Sequence, residues 1–228
     1  MRTFAVAAGV AVVLNQRPVW AADPPSAAVV PPPGVSQADD PEKATIAAVA
    51  ATRRSGFTAG FLGGMAFGTV EGYPNDFSQI DNPLYRSATS GVGGTGMLYI
   101  GGALTDWFTF GLGFARTSYG SSRIVTNAGV FLFHIETFPL FAQGGLWRDA
   151  GLFANFGTGT ATIRRRSDEV EFSSSGSLSV VGLGAFWEPL RAGHFAAGPF
   201  ASWQYQVSDS MTRHFGEIGL RGVFYGGP

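Results

Sequence analysis

A chain of 228 residues that is 45% hydrophobic and only 14% charged, with 33 glycines and 20 phenylalanines, has too little charge for a typical soluble domain of its size. The absence of cysteine excludes a disulfide framework, a thiolate metal site and a lipidated N-terminal cysteine. A formal net charge of -1 gives no basic surface for nucleic acid.

Residues 1–21 resemble a secretory signal, with Arg2 before an apolar run over 3–14 and Val19, Trp20 and Ala21 at the cleavage positions. Cleavage before Ala22 is expected. An apolar run of about a dozen residues is too short to span a bilayer as a helix, which needs about 20. Residues 22–55 then form an extension in two parts. Pro24, Pro25, Pro31, Pro32 and Pro33 favour an extended linker, and Asp40, Pro41 and Glu42 make a helix start, which predicts a short helix over 44–54 ending in Arg53 and Arg54.

From Gly56 to Tyr225 the pattern has a period of two, which is the side-chain period of a strand. The first strand sets Phe57, Phe61, Met65 and Phe67 against Thr58, Gly60, Gly64 and Gly68, and a polar loop over 71–88 follows. The second places Leu98 and Ile100 on one face, and after a tight turn at Thr105 and Asp106 the third continues with Phe108, Phe110, Leu112 and Phe114. Opposite them stand Thr95, Tyr99, Gly101, Thr109, Gly111, Gly113 and Ala115. One face is large and apolar and the other is small and almost uncharged. Water would solvate the second poorly and the first not at all. A wall with lipid on the large face and a narrow lumen on the small one satisfies both.

Five more strands continue the pattern. The fourth, over 126–137, sends Phe131, Phe133 and Ile135 outward. The connection over 138–148 is apolar enough to read as an interfacial turn. The fifth, over 149–163, alternates Leu152, Ala154 and Phe156 with Phe153 and Asn155, while in the sixth, over 174–187, Val180 and Phe186 compete with Val181, Leu183 and Trp187 for the outer face. A short turn is expected over 188–194. The seventh strand puts Trp203 and Tyr205 outward and Gln204 and Gln206 inward; after a loop over 208–213 the eighth puts Ile218, Leu220 and Phe224 outward, with Glu217, Arg221 and Val223 inward. The expected fold class is all-β, an eight-stranded antiparallel up-and-down transmembrane β-barrel, with both chain ends on one side.

These features resemble the small outer-membrane β-barrel proteins of the OmpA, OmpX and OmpW type over Gly56 to Tyr225. The resemblance implies a monomer in the cell outer membrane, its extension on the periplasmic side, in contact with membrane lipid and lipopolysaccharide. It implies a lumen filled by side chains or leaving a narrow passage, and a structural, adhesive or small-solute role without cofactor or enzymatic activity. Such proteins end in an amphipathic strand that the barrel-assembly machinery recognises. Here Ile218, Leu220 and Phe224 match it, whereas Gly222 takes an outward site and Tyr225 to Pro228 follow.

His134 and Glu136, two apart on one inward face, are the candidates for acid/base chemistry. Barrel enzymes that deacylate lipid A pair a histidine with a serine two residues away, but Leu132 occupies that place and the fourth strand has no serine. A lumenal polar network of His134, Glu136, Gln204, Gln206, Glu217 and Arg221 is the favoured reading, because a charge in a narrow lumen costs heavily unless paired. Glu217 and Arg221, four apart on one strand, are about 13 Å from each other and must find partners on other strands. Arg164, Arg165 and Arg166 could contact lipopolysaccharide phosphates, against which Asp168, Glu169 and Glu171 offer local neutralisation. No metal-ligand cluster or phosphate loop appears. The competing readings are a narrow channel for small hydrophobic solutes, a soluble ligand-carrying barrel with its large side chains inward, and a lipid A-modifying enzyme.

Overall fold

The computed structural model describes residues 54–72, 89–143, 145–169 and 171–227. The expected signal, the linker, the helix over 44–54 except Arg54, and most of the loop over 71–88 lie outside the described residues.

Nine strands follow in chain order: β1 (Gly56–Gly72), β2 (Thr89–Thr105), β3 (Phe108–Gly120), β4 (Ile124–Thr137), β5 (Ala150–Arg165), β6 (Glu171–Trp187), β7 (Leu190–Ala192), β8 (Phe195–Val207) and β9 (Met211–Tyr225). Consecutive strands from β1 to β6 pair antiparallel, β8 pairs with β9, β1 with β9, and β6 with β8. Those last two pairings close a ring of eight long strands. Closure gives each of the eight long strands a ladder partner on both sides over at least part of its length, which satisfies most of the sheet's backbone groups. The three residues of β7 pair only with the start of β8, where Leu190 faces Ala197, and form a flap at one end of the ring.

Alternation sets the two faces. Phe57, Phe61, Phe67, Leu98, Ile100, Phe110, Leu112, Phe114, Phe131, Phe133, Trp203, Ile218 and Leu220 are exposed on the outer wall, while Phe108, Tyr205 and Phe224 point the same way but are half-buried by neighbours. The interior holds Leu62, Met97, Tyr99, Leu132, Phe153, Phe200, Phe215 and Val223. In β6, Val181, Leu183 and Trp187 are exposed, and Val180 and Phe186 are buried. That outcome follows from register: Phe156 outside pairs with Val181, and Gly151 inside pairs with Phe186. Large side chains outside and packed side chains inside contradict the soluble carrier with its large residues inward.

Aromatics and glycines are matched across the wall. A Cβ on inward Gly60 would come within 2.3 Å of the Tyr99 ring, and one on outward Gly222 within 2.4 Å of Phe61. Gly222 therefore occupies an outward site because the Phe61 ring covers it. Gly60→Val is expected to destabilise the barrel by about 1–3 kcal/mol, since Tyr99 must leave its rotamer to make room. Chemical unfolding in detergent measures this, and an unchanged midpoint would contradict the packing.

Three expectations at the strand ends are corrected. The turn over 188–194 contains β7, and its first residue, Glu188, is buried. The loop over 208–213 ends early, because β9 begins at Met211 and carries Arg213 inward. In the connection over 138–148, Phe138 turns into the barrel end and is buried, while Leu146 and Trp147 stay exposed on short 3-10 turns at Phe141–Gln143 and Gly145–Asp149. At all three places the apolar/polar contrast that marks a strand is missing, although the backbone pairing or burial persists.

Candidate functional site: the charged interior

β9 places Arg213, Glu217, Arg221 and Tyr225 on its inward face at intervals of four residues, about 13 Å apart along the strand. Each therefore meets different strands, and two separate clusters result.

The first lies towards the end of the barrel that holds both described chain termini. Glu136 on β4 is at its centre. One of its oxygens is 2.8 Å from Arg221 Nη2 and 2.9 Å from His134 Nε2, and accepts from the Tyr99 hydroxyl at 3.1 Å. The other accepts from Thr109 Oγ1 at 2.7 Å. His134 Nδ1 is 2.6 Å from the Asn155 side-chain oxygen, and the Arg221 guanidinium lies 3.7 Å above the centre of the Phe186 ring. Arg221 then links outward, with its Nη2 3.2 Å from Glu188 Oε1. Glu188 also accepts from the Tyr225 hydroxyl at 2.8 Å, from Arg191 at 3.2 Å and from Arg54 at 3.2 Å.

Arg54 completes the chain of charges. It is fully buried, donates to Asp149 at 2.7 Å, and stacks 3.5 Å from the centre of Phe138. Its backbone N–H and guanidinium also hold the β2–β3 turn through Asp106 at 2.7 and 3.1 Å. Burial works against its charge, but Glu188, Tyr225 and Asp149 outweigh that effect and hold its pKa above the ordinary arginine value. Acids and guanidiniums thus alternate from Glu136 through Arg221, Glu188 and Arg54 to Asp149. In a low-dielectric interior such alternation offsets a desolvation cost of several kcal/mol per ion that isolated charges could not meet.

The second cluster surrounds Glu217. Its carboxylate accepts from Ser202 at 2.6 Å, Gln204 at 2.8 Å and Thr95 at 2.5 Å. Gln204 accepts from Gln206 at 3.4 Å, and the Gln206 carbonyl accepts from Arg213. Arg213 is buried between the rings of Tyr119 and Phe215, with its guanidinium carbon 4.9 and 5.4 Å from their centres.

The six residues read from the sequence thus divide, with His134, Glu136 and Arg221 in one cluster and Gln204, Gln206 and Glu217 in the other. Arg54, Asp149, Glu188, Asn155 and Arg213 were missed. The signal for Asn155 was its place on the inward face of β5; Glu188 and Asp149 flank strand ends, where alternation carries no information. His194 contacts the Tyr225 carbonyl oxygen at 2.9 Å, and His214 lies in β9 against the Tyr205 ring at 4.9 Å. Neither joins His134. Among the described residues, no three acidic or histidine side chains converge as a metal site.

Arg164, Arg165 and Arg166 lie at the opposite end and do not form one cationic patch. Arg164 pairs with Glu171 at 3.1 Å, Arg165 with Asp168 at 2.9 Å, and Arg166 Nε donates to the Ser121 carbonyl at 3.0 Å. Exposed pairs of this kind contribute about 0–1 kcal/mol each.

An apolar outer wall around a charge-paired interior defines a small closed up-and-down β-barrel. No family model and no curated protein matches the sequence. Among solved structures the chain is similar to Ail, the attachment invasion locus protein of Yersinia pestis, at 17% identity and TM-score 0.44, covering 74% of this chain and 99% of that one. It is also similar to Neisserial surface protein A at 10% identity and TM-score 0.46, covering 75% and 97%, and to OprG from Pseudomonas aeruginosa at 11% identity and TM-score 0.41, covering 76% and 98%.

Proposed function

We propose that this chain is an integral outer-membrane barrel whose lumen is closed by its own side chains, and that it serves a structural or surface-interaction role without enzymatic activity. The observation that carries the proposal is the pairing of an exposed apolar band outside with buried ion pairs inside. Soluble monomers rarely expose contiguous apolar patches beyond a few hundred Å², yet here large apolar side chains are exposed on all eight long strands. Strands of 13–17 residues, tilted by about 45°, project to about 31–41 Å, enough to cross a hydrocarbon core of about 30 Å.

Eight strands enclose an interior only wide enough for side chains. The Arg221 and Glu136 side chains, buried and 2.8 Å apart across that interior, support a closed lumen. The purified protein is expected to need detergent, to migrate differently in gels with and without boiling, and to show at most small, infrequent conductance steps in planar bilayers. A monodisperse protein without detergent would overturn the membrane assignment; large steady currents would overturn the closed lumen. His134 and Glu136 give no support to the competing enzymatic reading, since both are buried in the network and, among the described residues, neither hydrogen-bonds to a serine.

A further inference from the structure

Among the described residues Arg54, Arg213 and Arg221 are the buried arginines, and two of them follow one rule. Arg221 lies 2.8 Å from Glu136 and stacks 3.7 Å from the centre of the Phe186 ring, and Arg54 lies 2.7 Å from Asp149 and stacks 3.5 Å from that of Phe138. Each has a carboxylate for its charge and a ring against its face. Arg213 breaks the rule on both counts. No carboxylate of the described residues forms an ion pair with it, and while its Nη1 donates to the Gln206 side-chain carbonyl, its Nε and Nη2 are buried without a hydrogen-bond partner. Its guanidinium carbon stands 4.9 and 5.4 Å from the centres of Tyr119 and Phe215, further than the other two stand from their rings. Arg54 and Arg221 also leave N–H groups unpaired, but their charge is met.

We infer that Arg213 is the centre of an anion site in the barrel interior, and that its ligand is a small monovalent inorganic anion of the halide class. Arginine stays charged at any physiological pH, and a charge buried in an apolar interior costs heavily unless a counter-charge goes with it. The surroundings supply none. Glu217, on the same strand, is four residues and about 13 Å further along, and its carboxylate already accepts from Thr95, Ser202 and Gln204. Val70, which faces Arg213 across the β1–β9 ladder, and the Tyr119 and Phe215 rings are buried and carry no negative charge. A second orphan donor lies beside Tyr119. Thr126 faces it across the β3–β4 ladder, and the Thr126 hydroxyl is buried without a hydrogen-bond partner. The Tyr119 hydroxyl is already spent on the Thr69 carbonyl at 2.9 Å.

Burial decides the size of the ligand. Arg213, Gln206 and Thr126 are closed to solvent, so the anion must arrive stripped of its water, which a single charge on one atom or a small planar ion loses more readily than a multiply charged group. Seating it requires the Tyr119 and Phe215 rings to give way, and both stand further off than a stacked ring does. Arg213 is the third residue of β9, next to the turn over 208–210 and at the end of the barrel opposite Arg54. An anion entering there stops short of the Glu136–Arg221 cluster, so the site is a blind one and agrees with a closed lumen. The inference stands on the interior alone and does not depend on which membrane surrounds the barrel.

The test uses the full chain folded in uncharged detergent, with folding established first by its shift in gel migration on boiling. The temperature at which the folded band disappears is then measured at constant ionic strength while gluconate, too large to enter, is exchanged for chloride, bromide or nitrate. Between about 1 and about 200 mM chloride the midpoint is expected to rise by about 3–6 °C, because the anion binds the folded chain alone. Arg213→Gln is expected to remove most of that rise, and Thr126→Val, which keeps the shape and loses the hydroxyl, to lower it by about 1–2 °C. Arg123→Gln, an exposed change in the β3–β4 turn, is expected to keep it whole. No rise, or the same rise in Arg213→Gln as in the unmodified chain, would overturn the inference. Anomalous diffraction from crystals of the unmodified chain soaked in bromide locates the ion without any variant, and so decides the matter even if Arg213→Gln does not fold. A bromide within hydrogen-bond reach of the Arg213 guanidinium is the expected result; bromide at surface positions alone would mean an adventitious ion only and would overturn the site.

Discussion

Arg221→Ala is expected to lower the unfolding free energy in detergent by about 3–5 kcal/mol, because it leaves buried carboxylates without their cation. Two carboxylates are affected, since Arg221 Nη2 is 2.8 Å from Glu136 and 3.2 Å from Glu188. His134 and Thr109 still contact Glu136, and Arg54, Arg191 and Tyr225 still contact Glu188, so the folded barrel survives at the lower end of that range if these neighbours can repack. The same substitution empties the space above the Phe186 ring, and small conductance steps in planar bilayers are expected to become more frequent. Urea titration at constant detergent measures the first effect. A second variant separates charge from volume: Arg221→Met combined with Glu136→Gln removes one buried pair whole while keeping most of the bulk, and leaves Glu188 to Arg54 and Arg191. It is expected to recover much of the loss, since replacing a buried ion pair whole is often neutral. A loss below about 1 kcal/mol for Arg221→Ala would mean that water, and not Arg221, solvates Glu136 and Glu188.

The contrast between what was legible in the sequence and what was not follows from where alternation operates. In β3 every second residue from Phe108 to Phe114 is large and apolar, and Leu98 and Ile100 on β2 and Phe131, Phe133 and Ile135 on β4 lie beside them in register, so strand and face could both be read from side-chain size. In β9 the inward Glu217 and Arg221 were recognisable because they interrupt an apolar series. Arg213 was not, because Met211, Thr212 and His214 around it are mixed in polarity and resemble a loop. Arg54 was missed for a different reason. It precedes the first strand and follows a helix signal, and only the closed ring, which brings Asp149, Glu188 and Phe138 from three distant parts of the chain to one mouth, gives its charge a buried partner. Such convergence depends on barrel closure and has no local signature. The identity of Arg221's partner was similarly open: β4 and β9 are not neighbours in the ring, and Glu136 reaches Arg221 across the lumen.

Leu112→Arg is expected to destabilise the inserted barrel by about 2–4 kcal/mol and to reduce the yield of folded protein in membranes, because it places a charge on the outer wall in the middle of the apolar band. The position is chosen from the register. Leu112 lies between Ile100 on β2 and Phe133 on β4, with Phe110 and Phe114 on either side along its own strand, so no outward polar group is within reach. An arginine there must thin the bilayer locally or snorkel past at least one ring to reach water. Thr109→Ser, on the opposite face of the same strand, is the matched control. Its hydroxyl donates to Glu136 at 2.7 Å, and serine keeps that donor, so the change is expected to be nearly silent. Thr109→Val keeps the shape and removes the donor, and is expected to cost about 1–3 kcal/mol by leaving a buried carboxylate oxygen short of a partner. The three variants together test which side of the wall meets lipid: the fraction that shifts in gel migration on boiling, measured after refolding into phospholipid vesicles, should fall for Leu112→Arg and hold for Thr109→Ser. If Leu112→Arg inserts as well as the unmodified chain while Thr109→Ser does not, the outer wall faces water and the membrane assignment is wrong.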